Sequence, residues 1–347
     1  MKYIYLFIII IIFIIIYYKN KKNEYYDTSM NNISLSNSNM TELSNQYTYY
    51  TIQKNNYVAN INNYLANINN IYNQILQNLK NNGLALQYVS SELQNDTNIV
   101  TAAVHNNGLA LQYASSELQN DYNLVFSAVQ NNGLALQYVS LELQNDTTIV
   151  TAAVQNNGLA LQYAPSEIKN NQYVVAVAVQ NNGLALQFAS LEMQNNFDLV
   201  YYAVRNNGLA LQYASPQLQK KYINNLESNI PQSGLLLYYG TSEQKNNYNL
   251  VFLAVKNNGL ALQYASLQLQ NNFYIVLNAV GNNGMVLQFA PQKLQNNFFI
   301  VYYAVRNNGL ALQYASETMR TNRIIVREAI QNNKLAKQYS LMYKKLS

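Results

Sequence analysis

The sequence predicts an all-α solenoid of about eleven 25-residue, two-helix repeats behind an N-terminal hydrophobic anchor, and three observations predict it. The first is self-similarity. The string Asn-Asn-Gly-Leu-Ala-Leu-Gln-Tyr recurs with Gly83, Gly108, Gly133, Gly158, Gly183 and Gly208 standing 25 positions apart. A degenerate copy follows one residue late at Gly234; Gly259, Gly284 and Gly309 resume the step, and Lys334 fills the next glycine slot. A fixed period of this length marks a stacked array. The second is periodicity: Leu124, Val125, Ala128 and Val129 fall at i, i+1, i+4 and i+5, one face of a helix, as do Ile99, Val100, Ala103 and Val104. The third is a capping column. Asp96, Asp121, Asp146, Asn171, Asn196, Asn247, Asn272, Asn297 and Asn322 precede each apolar set. Asp and Asn side chains accept the orphan N–H groups of a first helical turn.

The amino terminus comes first in the chain and differs from everything after it. Residues 3–18 are uncharged and mostly isoleucine, between Lys2 and Lys19, Lys21 and Lys22. As a helix they span about 24 Å against a hydrocarbon core of about 30 Å, short but within what a bilayer accommodates. Residues 1–22 are therefore expected to form a single-pass membrane anchor, with the membrane as one partner through residues 3–18. A cleaved signal peptide, giving a secreted or lumenal protein, is the alternative; Tyr17-Tyr18-Lys19-Asn20-Lys21 lacks the small residues of a cleavage site. The lysines on both sides give no orientation.

Residues 23–57 are rich in Asn, Ser, Thr and Tyr without helical periodicity and read as a polar linker. The repeat array is expected over 58–347. It opens with a helix over 58–80, where Ile68, Ile71, Ile75 and Leu79 share a face that should cap the array. Within each copy a first helix of about ten residues is expected to end at Asn-Asn-Gly, the glycine closing it in the left-handed region. A second helix of about seven residues should follow through Leu134, Leu136, Tyr138 and Val139, and Leu141 to Asn145 should turn back to the next cap. A leucine-rich repeat shares this period, but its strand needs alternation that Ile99-Val100-x-x-Ala103-Val104 does not have.

The copy over 209–234 departs from the pattern. Lys220-Lys221 stand where a cap belongs, its apolar set shrinks to Ile223, Leu226 and Ile230, and Pro231 sits at the helix end. One inserted residue rotates a helical face by about 100°, so a kink or looser packing is expected there. Residues 322–347 read as the C-terminal cap.

Composition limits the chemistry. Among 347 residues only 11% are charged; the net charge is +5; there are 32 Tyr and no Cys. No disulfide, thiolate metal site or cysteine nucleophile is possible. His105 is the single histidine, at a slot that elsewhere holds Lys80, Gln130, Arg205 or Gly281, the pattern of a solvated helix end. Glu92, Glu117, Glu142, Glu167 and Glu192 recur with the unit, as a structural role predicts. The glycines lack the Gly-Lys-Ser/Thr context of a phosphate loop. No catalytic residue, cofactor site or metal site is indicated, and an enzyme is not expected.

Two fixed columns have structural readings. Gln87, Gln112, Gln137 and their equivalents should bond turn backbone in the neighbouring repeat. Tyr88, Tyr113, Tyr138 and their equivalents should pack in the core, since Phe188 and Phe289 replace tyrosine there. The variable positions of the first helix carry more. Early copies hold Thr97, Asn98, Thr101, Thr147, Thr148 and Thr151; later ones hold Phe197, Tyr201, Tyr202, Phe252, Phe273, Tyr274, Phe298, Phe299, Tyr302 and Tyr303. This aromatic set is the candidate surface for a protein partner.

The string from the Asp/Asn cap through Ile/Leu-Val-x-x-Ala-Val-x-x-Asn-Gly-x-Ala-Leu-x-Tyr-Ala-Ser resembles a helical repeat domain of unknown function, common in large DNA viruses of amoebae and in some intracellular bacteria and protists. Its unit of about 50 residues corresponds to two of these copies, and the likeness covers roughly residues 75–340. The resemblance implies fold and array and supplies no activity or site residues. A membrane-tethered scaffold for protein–protein interaction is the function expected. RNA binding is the rival, because helical repeats can read bases one at a time and Lys80, Arg205, Lys256 and Arg306 share one repeated position.

Overall fold

The computed structural model describes residues 37–344, all of its regular elements there being helical. The anchor expected at 1–22 and the linker up to residue 36 lie outside the described residues. No described helix is long and apolar enough to cross a membrane.

The chain divides into two compact units, residues 1–74 and 75–347. In the first, the linker expected over 23–57 is corrected from Asn37 onward: one α-helix runs from Asn37 to Asn81. No Gly or Pro occurs before Gly83 to stop it, and extending a formed helix costs far less than nucleating one. Its apolar residues Leu43, Ile52, Leu65, Ile68 and Ile71 are exposed. The expected capping face is therefore shorter than the periodicity implied: Leu79, in the second unit, is buried, whereas Ile68 and Ile71 are not.

The second unit is the array. A regular copy holds three helical pieces rather than two. Asp121 caps an α-helix over Tyr122–Asn131, its side chain accepting from Leu124 N–H at 2.8 Å. A 3-10 helix follows over Gly133–Tyr138, then one α-turn over Leu141–Gln144. Six residues starting at an Asn cap and leaving into extended backbone suit the tighter 3-10 geometry, which is used in short pieces. Leu124, Val125, Ala128, Val129, Ala135 and Leu136 are buried, so the first helix and the 3-10 piece supply one core between them. First helices stack on first helices and 3-10 pieces on 3-10 pieces along the array.

The glycine does not close the helix in the left-handed region. Among the described residues none has positive φ. The preceding Asn107 breaks the helix instead, in extended conformation at φ −149° and ψ 111°. What demands glycine is space. A Cβ on Gly83 would collide with the Ala103 carbonyl oxygen of the next copy, and one on Gly158 with the Ala178 carbonyl. At Lys334, in the last glycine slot of the series, the side chain is exposed.

The asparagines before the glycine tie copies together. Gly83 N–H donates to Asn106 Oδ1 at 2.7 Å, and Asn106 Nδ2 donates to the Lys80 carbonyl at 2.9 Å. The same pair of bonds joins Gly133 and Gln130 to Asn156, and Gly183 and Gln180 to Asn206. The second asparagine caps the 3-10 piece, Leu109 N–H donating to Asn107 Oδ1 at 3.0 Å. A further rung joins the short turns: Ser215 N–H donates to the Gln194 carbonyl at 3.0 Å and Ser215 Oγ to Asn195 Oδ1 at 2.6 Å.

The copy over 209–234 absorbs its extra residue by fusion. Ser215 caps a helix over Pro216–Asn224 that runs straight through Lys220-Lys221, and a second short helix covers Leu226–Asn229. Its buried set is Tyr222, Leu226 and Ile230, spaced i, i+4, i+8, while Ile223 is exposed, contrary to the expected set. Packing carries across the junction: Phe197 stacks on Tyr222 with centroids 6.4 Å apart, and Tyr239 Oη donates to the Leu209 carbonyl at 3.2 Å. The asparagine ladder does not. Gln232 occupies the asparagine place, and Gly208 N–H gains no acceptor; the ladder resumes with Gly234 and Asn257.

Candidate partner surface

On each first helix the third, fourth, seventh and eighth residues face the core, as Ile300, Val301, Ala304 and Val305 do in the helix Phe298–Asn307. The first, second, fifth, sixth and ninth therefore share the outer face. That is where the candidate residues stand. Phe197, Tyr202, Tyr274, Phe299 and Tyr303 are exposed, Tyr274 at 63% and Phe299 at 60%. Tyr201, Phe252, Phe273, Phe298 and Tyr302 are half-buried beside them, and none of the ten lies in the core.

Helical spacing brings these rings together. Phe298 stacks on Tyr302 at 5.9 Å and Tyr248 on Phe252 at 6.2 Å, each pair at i, i+4. Neighbours in sequence meet edge to face, as in Tyr302–Tyr303 at 5.8 Å. The ninth position continues the stripe with Arg205, Lys256 and Arg306. In Phe273–Asn282 that place is Gly281, with no heavy atom within 4 Å of where its Cβ would lie. A shallow depression of about 470 Å³ results, between Lys256, Leu277, Asn278 and Tyr303.

The array thus presents two different outer faces. Before Gly183 the positions carry Thr, Asn, Ala and Gln with few rings; after Gly234 they carry rings and cations. The boundary copy holds a cavity of about 10 Å³, the size of one water, between Arg205, Tyr222, Asn229 and Ser233. The Tyr222 hydroxyl is buried there with no hydrogen-bond partner. Burial pushes it up to about 12, with Tyr201 adding to the shift. Burial likewise pushes Tyr239 up to about 12 and raises Tyr264. All three phenols stay neutral at physiological pH, where they pack rather than act as bases.

Two expected columns are corrected. Gln112 Nε2 donates to the Leu109 carbonyl at 3.0 Å, inside its own 3-10 piece rather than across to a neighbour. The cross-links come from asparagine. The Tyr113, Tyr138 and Tyr163 column is half-exposed rather than core, and Tyr88 is exposed at 82%, because the 3-10 piece turns Ala and Leu inward instead. His105 lies exposed at its helix end. Among the described residues no three acidic or histidine side chains cluster as metal ligands do.

Sequence reasoning missed one set. Leu141, Leu191 and Leu267, each 83% exposed, begin the short turns of three copies. The signal was present: that slot holds Ser91, Ser116, Gln292 or Glu317 elsewhere, so leucine there is a solvent-facing choice.

A family model described as a domain of unknown function (DUF4116) matches residues 73–119, 121–169, 174–219, 247–295, 272–320 and 297–343. Each match spans two copies. The last three begin 25 positions apart, so successive overlapping pairs of copies match there, and no match reaches into residues 220–246. No curated protein and no solved structure matches the chain.

Proposed function

The chain belongs to the DUF4116 family of domains of unknown function, and on that footing we propose that it is a non-enzymatic scaffold, tethered to a membrane through residues 3–18, whose second half binds a protein partner. The observation that carries this reading is the aromatic and cationic outer face after Gly234. Repeat packing is already complete in the buried residues Ile275, Val276, Ala279 and Val280 and their equivalents. Nothing in that packing asks for Tyr274, Phe299 or Tyr303, whose rings stand in water at a cost in apolar exposure. Aromatic residues and arginine together are the composition of interface hot spots. The early copies support the same reading by contrast, since identical packing there coexists with Thr97, Thr101 and Thr148.

The test compares proximity labelling from the full chain in its own cell with labelling from a variant carrying Tyr274→Ser, Phe299→Ser and Tyr303→Ser. A control carries Tyr122→Ser and Tyr173→Ser in the first half. Loss of a discrete set of labelled proteins in the first variant and its retention in the second is the expected result. Identical labelling from both would remove the aromatic face from the function. Single-stranded RNA is the other occupant that rings and cations fit; its signature would be binding by the full chain that weakens steeply with salt.

A further inference from the structure

We infer that Asn207 is the chain's site of self-catalysed deamidation, through attack of the Gly208 backbone nitrogen on its side chain. Nine Asn-Gly pairs occur in the array, at Gly83, Gly108, Gly133, Gly158, Gly183, Gly208, Gly259, Gly284 and Gly309. Eight share one arrangement: the glycine N–H donates to an asparagine Oδ1 of the following copy at 2.6–2.8 Å. That bond occupies the proton that must leave before the nitrogen becomes a nucleophile, and it anchors the peptide that must rotate to reach the side chain. Gly208 alone lacks it. The inserted residue puts Gln232 in the asparagine place, and the Arg205 carbonyl loses its amide donor with it.

The chemistry balances with water as the only co-reactant. Hydroxide removes the Gly208 amide proton; the nitrogen forms a bond to Asn207 Cγ; the Cγ–Nδ2 bond breaks and ammonia leaves. Water then opens the resulting succinimide at either carbonyl, giving aspartate or isoaspartate at that position. The isoaspartate form inserts a methylene into the backbone of a buried junction that one missing rung has already weakened.

Asn82 supplies an internal control. Its side chain caps nothing, whereas Asn207 Oδ1 accepts from Leu209 N–H at 3.0 Å; yet Gly83 N–H is held by Asn106. If freedom of the asparagine side chain governed the reaction, Asn82 would lead. If freedom of the glycine nitrogen governs it, Asn207 leads.

The test incubates the folded full chain in mildly alkaline buffer and maps each Asn-Gly peptide by mass, scoring the gain of one mass unit and the isoaspartate product. Loss of one ordinary hydrogen bond corresponds to about fivefold in rate, so Asn207 should react about fivefold faster than the other eight pairs. The same chain in strong denaturant should react at all nine pairs alike, because eight share Asn-Gly-Leu and the ninth is Asn283-Gly284-Met285. Reaction at Asn82 ahead of Asn207, equal rates in the folded chain, or an Asn207 lead that persists in denaturant would each overturn the inference.

Discussion

Asn106 holds Gly83 from the next copy along: its Oδ1 accepts the glycine N–H at 2.7 Å while its Nδ2 donates to the carbonyl three residues before that glycine, at 2.9 Å. One amide therefore satisfies a donor and an acceptor that the end of the preceding helix leaves orphaned. The relationship fixes repeat spacing and makes the Asn-Asn-Gly motif a property of junctions rather than of single copies.

Asn156→Ala should remove both bonds at one junction, to Gly133 and Gln130. With the Gly133 N–H left unsatisfied in a part-buried place and the exposed Gln130 carbonyl freed to solvent, a loss of about 1–2 kcal/mol is expected. Asn156→Asp keeps the acceptor and loses the donor, and should fall between wild type and the alanine variant. Urea unfolding of the full chain checks the order; a neutral Asn156→Ala would show the ladder to be incidental.

The two kinds of glycine should respond with opposite signs. Gly158→Ala drives a methyl group into the Ala178 carbonyl and cannot be relieved by a side-chain movement, so it should cost more than about 3 kcal/mol. Gly281→Ala meets nothing within 4 Å and lies within a helix, so it should gain about 0.5–1 kcal/mol. Thermal unfolding of the two variants decides this, and a shared sign would refute the close-approach argument.

Alkaline pH should unfold the protein through the boundary copy. A tyrosine whose folded-state value is raised contributes stability that is fully present below pH 10 and lost as pH rises through about 12, since ionisation is easier in the unfolded chain. Tyr222→Phe should move the alkaline midpoint upward. It should leave neutral-pH stability unchanged or slightly higher, because the removed hydroxyl has no partner. A lowered alkaline midpoint in that variant would contradict the assignment.

Limited trypsin treatment should cut at Lys220 or Lys221 before any other site beyond residue 80. Both are exposed, the ladder is interrupted beside them, and stability in stacked arrays is close to a sum of neighbour terms. Mass mapping of the first fragments reads the outcome. Lys221 Nζ lies 4.2 Å over the Phe197 ring, so Phe197→Ala should quicken that cut. First cuts inside the regular copies would mean that the fused helix closes the gap in the ladder.

The sequence by itself determined the array. Its period, the helical face of Leu124, Val125, Ala128 and Val129, and the Asp/Asn caps all follow from local rules, and each cap forms as expected. The outer placement of Phe299 and Tyr303 was legible for the same reason, because helical spacing assigns faces without reference to neighbours. Tertiary structure decided the rest. Left-handed closure is the local role of glycine, yet here Gly83 answers to a carbonyl 20 residues further along. Gln112 and Asn106 are alike in chemistry, and only stacking directs one inward to its own 3-10 piece and the other back to the preceding copy. Residues 37–57 of the long helix are not legible as helix because periodicity reports burial, and a stretch that buries little leaves no periodic trace. What a sequence shows directly is what a residue does within a turn or two; what a residue does for the next copy appears only when the copies are stacked.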